Sequence, residues 1–448
     1  MVGKREVGPV STLTLAILSA LLLIAARPAQ AQTETVLYNF CSQPYCADGA
    51  HPTSRLTLYN GNLYGTTSGA VFELSSDGSG GWKETVLHTF CPEYRGCGAD
   101  PASSVTFDSM GNLYGTTEYG GTYGRGLVYE LSPAGASWTE TVLYNFPGGA
   151  EGALPVGGLI RDPAGNLYGR TTSQLPCQVC FGSKGPPSMV AAATDVGFKA
   201  GNLNRTIKGS GGGHLFELSP SGGGWTEQVL YQFETIPLGP FYIGYAGLTM
   251  DAAGNLFGAS EDTVFELSPN GSGGWSPTAI HTFGAAENGS NPVGTPVLDQ
   301  AGNVYGTTEG GGAYNSGTVY KLSPGRRRWT YEILYSFKSG PEDGSQPFAG
   351  IVFDAAGNIY GTTFSGGESG QGTVYELVAP VGTGSYTEKV LWSFNFPDGF
   401  RPVDSLILDS AGNLYGTTPG GGTGGGPDNI CSNVPDAPGC GVIFEVTP

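Results

Sequence analysis

The sequence predicts an all-β fold: one seven-bladed β-propeller with four antiparallel strands in each blade. Three observations predict it. A Gly-Asn-aliphatic-aromatic-Gly core recurs seven times, each copy lies in a unit of four short apolar runs, and the two chain ends supply complementary parts of one unit.

The core begins at Gly61, Gly111, Gly165, Gly254, Gly302, Gly357 and Gly412. The spacings are 50, 54, 89, 48, 55 and 55 residues, so the third unit carries an insertion, placed at about 173–212. The sixth unit shows the pattern: "GIVFD" (350–354), the turn "AAGN", "IYGTT" (359–363), a Gly-rich loop, "TVYELV" (373–378), a linker and "TEKVLWSF" (387–394). These runs are rich in β-branched and aromatic residues, which suit a pleated sheet, and none has the length or period of a helix.

The turn between the first two runs has its own chemistry. In Asp108-Ser109-Met110-Gly111-Asn112 the glycine supplies a positive φ and the aspartate can cap the turn. The first unit is one residue shorter and reads Tyr59-Asn60-Gly61-Asn62, where Asn-Gly is a strong two-residue hairpin signal.

The ends set the blade count. "ETVLYNF" (34–40) reads as a fourth strand and "GVIFEVTP" (441–448) as a third. Strands one to three from 404–447 joined by 34–40 complete a seventh blade and close the ring without an open edge.

Residues 1–31 stand apart. Lys4 and Arg5, the apolar run 13–26 and Ala29-Gln30-Ala31 read as a secretory signal peptide. A single propeller domain, 32–448, is then expected outside the cytoplasm: extracellular, on the cell surface or in the periplasm, with no transmembrane segment after signal removal. A formal net charge of −18 argues against nucleic acid as a partner. A monomer is expected.

The unit "DxxGNLYGTT…GTVYELSP…WTETVLYNF…DGxxP" resembles the Gloeo/Verruco (GloVer) repeat of exported bacterial proteins over nearly all of 34–448. The resemblance implies a propeller in an exported protein and supplies no catalytic residues.

Chain direction sorts the loops. Those after strands one and three share one face and are short; those after strands two and four share the other and are long and Gly-rich, so that second face is the candidate functional face. All eight cysteines fall there. In an exported protein they are expected oxidised, with local pairing as the simplest pattern: Cys41–Cys46, Cys91–Cys97, Cys177–Cys180 and Cys431–Cys440.

Loops after fourth strands repeat an acidic or amide residue followed by Gly-x-x-Pro, at Asp48, Glu151, Asn288, Asp343 and Asp398. Such a ring could hold Ca²⁺ or sugar hydroxyls; the plainer reading is that Asp-Gly makes the turn. Thr-Thr closes the second strand in six units, as rim hydroxyls or as strand residues that cap the next turn. His51, Tyr119, Tyr123, Tyr314 and Phe400 complete the ligand-binding candidates, since rings beside carboxylates suit carbohydrate stacking. The other hairpin aspartates lack EF-hand spacing, and no Ser-His-Asp order, nucleophile elbow or H-E-x-x-H is present. No cofactor or metal is expected, with Ca²⁺ as the one candidate. The function expected is a non-catalytic binding propeller for a glycan or other extracellular or envelope macromolecule. The alternatives are a propeller-type polysaccharide lyase or lactone hydrolase with an axial metal, and a structural surface protein without a specific ligand.

Overall fold

The structure, a computed structural model, describes residues 32–90, 98–101, 103–148, 152–172, 208–210, 213–236, 246–260, 262–284, 286–382, 384–423, 431 and 439–448. Seven antiparallel sheets of the expected kind follow one another along the chain. Blade 1 runs Thr57–Tyr59, Asn62–Thr66, Ala70–Ser76 and Trp82–Thr89. Blades 2 to 6 span 106–145, 153–232, 249–282, 290–336 and 352–393. Blade 7 takes Ile407–Leu408, Leu414–Thr418 and Val442–Thr447 from the C-terminal end, and Thr33–Asn39 from the N-terminal end. The closing register pairs Val36 with Phe444 and Tyr38 with Ile443.

Several first strands are shorter than the sequence suggests, although that of blade 3 runs Ala153–Arg161. "GIVFD" contributes only Val352–Phe353 to its sheet. In blades 4, 5 and 6 the residues just ahead of Thr249, Val297 and Val352 meet neighbouring segments. A Cβ on Gly247 would fall 2.3 Å from Gly157 O, one on Gly294 2.6 Å from Ala349 O, and one on Gly350 2.8 Å from Ser405 Oγ. Backbone converging this closely leaves no room for a side chain and ends the ladder early.

Each outer strand carries a β-bulge at one repeated aliphatic position: Leu37, Leu87, Leu143, Leu230, Ile280, Leu334 and Leu391. A bulge shifts the side-chain alternation. The aromatic or imidazole residue that follows thereby reaches the next blade: Tyr144 Oη donates to Glu227, and the His281 ring stacks on Tyr331 at 4.2 Å.

The core is a set of layers between blades. One layer joins Tyr64 and Val71 of blade 1 to Val105, Leu113 and Tyr129 of blade 2. Another joins Phe40 and Tyr415 of blade 7 to Leu56, Phe72 and Leu74 of blade 1. Burial of both blade faces explains why the second strands are buried at every position in "LYGTT". Among the described residues no helix is long and apolar enough to cross a membrane.

Candidate functional site

Much of the repeated chemistry turns out to hold the ring together. In blade 2 Asp108 Oδ1 accepts from the Met110 and Asn112 N–H groups, and Oδ2 accepts from Asn112 Nδ2 and Tyr114 Oη. The same cage forms around Asp299, Asp354 and Asp409. These bonds favour the ionised form and hold the Asp108, Asp299 and Asp409 carboxyls below the usual carboxylate range, although burial, the largest single influence, acts the other way. The shorter first turn has φ of 50° at Asn60 and 82° at Gly61, as a two-residue Asn-Gly hairpin requires.

The glycine after the repeated aromatic lies beneath a ring of the third strand. A Cβ at Gly65 would sit 2.6 Å from Phe72 Cζ, and one at Gly361 2.4 Å from Tyr375 Oη. The first threonine of Thr-Thr bonds across to the next blade: Thr66 to Ser103 O, Thr307 to Ala349 O, Thr362 to Asp404 O and Thr417 to Ser54 O, the last closing the ring. In blade 3 Arg170 stands there instead and donates to Ala259 O. The second threonine caps the following turn, as Thr363 does to Ser365 O and Thr418 to Gly420 O.

The Asp-Gly-x-x-Pro loops are rivets as well. Asp48 Oδ2 accepts from Tyr38 Oη, Ser42 N and Ser42 Oγ, each at 2.8 Å. Asp343 Oδ2 accepts from Tyr335 Oη and Lys338 N, and Asp398 from Asn395 N and Nδ2. All three carboxylates are buried. The next glycine packs on the second threonine: a Cβ on Gly49 or Gly344 would fall 2.4 Å from Thr67 or Thr363. The residue before proline is left-handed in six loops, with φ of 53–58° at His51, Asp100, Leu154, Asn291, Gln346 and Arg401. That geometry is unfavourable for non-glycine residues, most of all before proline. Here it lets the N–H reach the preceding blade, from His51 to Cys440 O, Gln346 to Ser316 O and Arg401 to Gln371 O. The Gln346 carbonyl meanwhile accepts from Phe364 N in its own blade. The strain therefore has an architectural cause.

The candidates separate accordingly. Asp48, Asp343 and Asp398 face inward, in three different loops. His51 bonds through Nδ1 to Pro419 O, and Asn288 is exposed, its carbonyl accepting from Tyr331 Oη. Phe400 is buried, packed on Gly420 and beneath Arg401, and offers no ring face to solvent. Tyr119 is half-buried. Glu151, the Cys91–Cys97 and Cys177–Cys180 pairs and most of the insertion lie outside the described residues. Cys41–Cys46 and Cys431–Cys440 are disulfides, and their four sulfurs lie within 4.8 Å of one another beside the ring closure.

Among the described residues, the large apolar side chains exposed on the long-loop side are aromatic. Tyr45 is 82% exposed, Tyr123 57%, Tyr314 55% and Phe396, which the sequence reading missed, 47%. Tyr45 has φ of 58° inside the Cys41–Cys46 loop. Tyr123 and Tyr314 stand at equivalent tips of Gly-rich loops, each braced against the outer strand by a backbone N–H, Thr122 N donating to Asn145 Oδ1 and Ala313 N to Ser336 Oγ. Acidic groups cluster at the same side: burial first and Asp100 second push Glu118 up to about 7, and burial raises Asp100 itself.

Fold and loops thus define a seven-bladed propeller with one elaborated face. Residues 261–448 match the family model described as the Gloeobacter/Verrucomicrobia repeat, in line with the repeat seen in the sequence. No curated protein matches the chain. Similar solved structures include virginiamycin B lyase from Staphylococcus aureus, at 13% identity and TM-score 0.49, covering 93% of this chain and 99% of that one. YCF48 from Cyanidioschyzon merolae is similar at 14% identity and TM-score 0.47, covering 94% and 99%. A gluconolactonase from Xanthomonas campestris is similar at 11% identity and TM-score 0.40, covering 95% and 92%.

Proposed function

We propose that the protein is an exported, non-catalytic binding module whose long-loop face recognises a glycan of the envelope or extracellular space. The observation that carries this reading is the set of exposed rings at Tyr45, Tyr123 and Tyr314, the last two on braced loops, beside a face whose repeated aspartates each accept scaffold hydrogen bonds. Rigid aromatic rings stack on the apolar faces of sugars with little loss of side-chain entropy. The buried aspartates of three separate loops do not converge as an acid–base pair would need to. A glycan array tests the reading. Binding to at least one sugar class is expected, and Tyr123→Ala or Tyr314→Ala should weaken it roughly tenfold, the scale of one hot-spot aromatic. Absence of any sugar binding, or turnover of a polysaccharide or lactone by the purified protein, would overturn it.

A further inference from the structure

The outer strands carry a glutamate at one repeated place in five blades: Glu34, Glu84, Glu140, Glu227 and Glu388. All five have a buried Oε1 with no hydrogen-bond partner. A buried carboxylate oxygen in that state carries a desolvation cost that something must offset. In two blades an imidazole faces the carboxyl group, at Oε2 of Glu140 and at Oε1 of Glu227. His88 Nε2 lies 3.6 Å from Glu140 Oε2, and His214 Nε2 lies 3.3 Å from Glu227 Oε1. In the other three the nearby charge acting on the glutamate is a second carboxylate: Asp398 on Glu34, Asp48 on Glu84 and Asp343 on Glu388.

One of these three pairs lines a cleft. A cleft of about 510 Å³ between blades 5 and 6 is lined by Tyr335, Lys338, Glu342, Asp343, Tyr386 and Glu388, among others. Asp343 is only 6% exposed. Its Oδ2 is occupied by Tyr335 and Lys338 N–H, while its Oδ1 has no partner. Lys338 lines the cleft but forms no ion pair with either carboxylate among the described residues.

We propose that this cleft is a divalent-cation site in which the free oxygens of Asp343 and Glu388 bind a calcium-class ion, with water completing the shell. The external ion takes the place that His88 and His214 fill beside Glu140 and Glu227. An all-oxygen donor set with no nitrogen or sulfur selects a hard cation, and calcium accepts irregular shells of six to eight oxygens that magnesium does not. Two carboxylates at a cleft correspond to the weak range of extracellular modules, roughly 10⁻⁴–10⁻³ M.

Equilibrium dialysis of the whole chain against Ca²⁺, in a background of NaCl that screens the acidic surface, tests the site. Wild type should bind Ca²⁺ saturably, and Glu388→Gln and Asp343→Asn should each bind one equivalent fewer. Tb³⁺ emission excited through tyrosine should fall in the same variants and be displaced by Ca²⁺. Circular dichroism shows whether each variant is folded. Equal stoichiometry in wild type and folded Glu388→Gln would overturn the proposal, as would Tb³⁺ emission that Ca²⁺ does not displace.

Discussion

Replacing Tyr375 with phenylalanine should stabilise the protein. The Tyr375 hydroxyl is fully buried and has no hydrogen-bond partner, and the same holds for Tyr129 and Tyr320. The four other blades carry Phe72, Phe216, Phe265 and Phe444 at this place. There a leucine methyl packs against the same glycine, with Leu56 Cδ2 3.1 Å and Leu406 Cδ2 2.8 Å from the position a Cβ would take. The tyrosine blades have Val105, Pro296 and Ile351 instead of leucine, so the hydroxyl occupies space the leucine would fill. An unsatisfied buried hydroxyl costs about 1–3 kcal/mol. Removing it leaves a void on the order of 10 Å³, worth about 0.2 kcal/mol, and loses a few dispersion contacts of about 0.1–0.2 kcal/mol each. The net expectation is a gain of about 1 kcal/mol for Tyr375→Phe. The three tyrosines belong to three separate layers, so the triple variant should gain about 3 kcal/mol. With an unfolding entropy of about 2.1 cal/mol/K per residue, that raises Tm by about 3–4 °C if the ring unfolds as one unit. Ile351→Leu adds a sharper arm. It should destabilise wild type by about 1–3 kcal/mol through overcrowding and be neutral or stabilising in Tyr375→Phe. Urea denaturation of the four proteins of this cycle measures both. A loss of stability in Tyr375→Phe, or an equal cost of Ile351→Leu in both backgrounds, would refute the packing argument.

Thr417→Val removes the bond that closes the ring to Ser54 O and should cost about 1 kcal/mol in the same denaturation assay. Deleting Thr33–Asn39 exposes the edge of Val442–Thr447 and should replace cooperative unfolding by a broad transition, with association visible by size-exclusion chromatography. Asp108→Ala strips four hydrogen bonds from a turn and should cost about 2 kcal/mol, Asp108→Asn less. Metal-free protein should lose stability as pH rises. Burial first and the facing aspartates next push Glu34 and Glu388 up from 4.5 to about 8, and Glu84 to about 7. Between the ordinary and the raised value the folded chain holds protons that the unfolded chain has released, so stability is full at the acid end and falls as pH climbs through the raised values. Linkage gives up to about 2 kcal/mol per group between pH 6 and 8, cut to about 1 kcal/mol or less by solvent access at these half-buried sites. Glu34→Gln, Glu84→Gln and Glu388→Gln together should flatten the Tm profile.

Strand count, blade count and ring closure were legible because they rest on local signals that repeat. Asn-Gly at 60–61, the Asp-to-Asn hairpins and the split of one blade between the chain ends need no knowledge of partners across space. The outer-strand bulges were not legible, since an extra residue leaves no mark in a β-rich run such as "ETVLYNF". The aspartates of the Gly-x-x-Pro loops could be read as turn formers or as rim ligands, because a carboxylate's direction depends on which donors surround it. At Asp48 those donors include Tyr38 Oη, ten residues away and reached only through the bulge at Leu37.

His88 and His281 show the same limit. Both fill a tyrosine slot, and the sequence supports reading both as aromatic replacements. His281 is one, stacked on Tyr331, but His88 faces Glu140. The difference lies in the next blade, where Tyr331 occupies the place that Glu140 holds. A repeat protein contains its own internal alignment, and once strand pairing sets adjacent blades against each other, columns can be read in pairs. Leucine goes with phenylalanine, and valine, proline or isoleucine with tyrosine; at the seams, glutamate goes with histidine or with aspartate. The first pairing concerns volume and stays within one blade. The second concerns charge and, at His88–Glu140 and at the aspartate pairs, crosses a seam, so a substitution on one side should change the ionisation of the other: Asp343→Asn should let Glu388 titrate closer to the ordinary glutamate range, a shift that side-chain carboxyl NMR can follow.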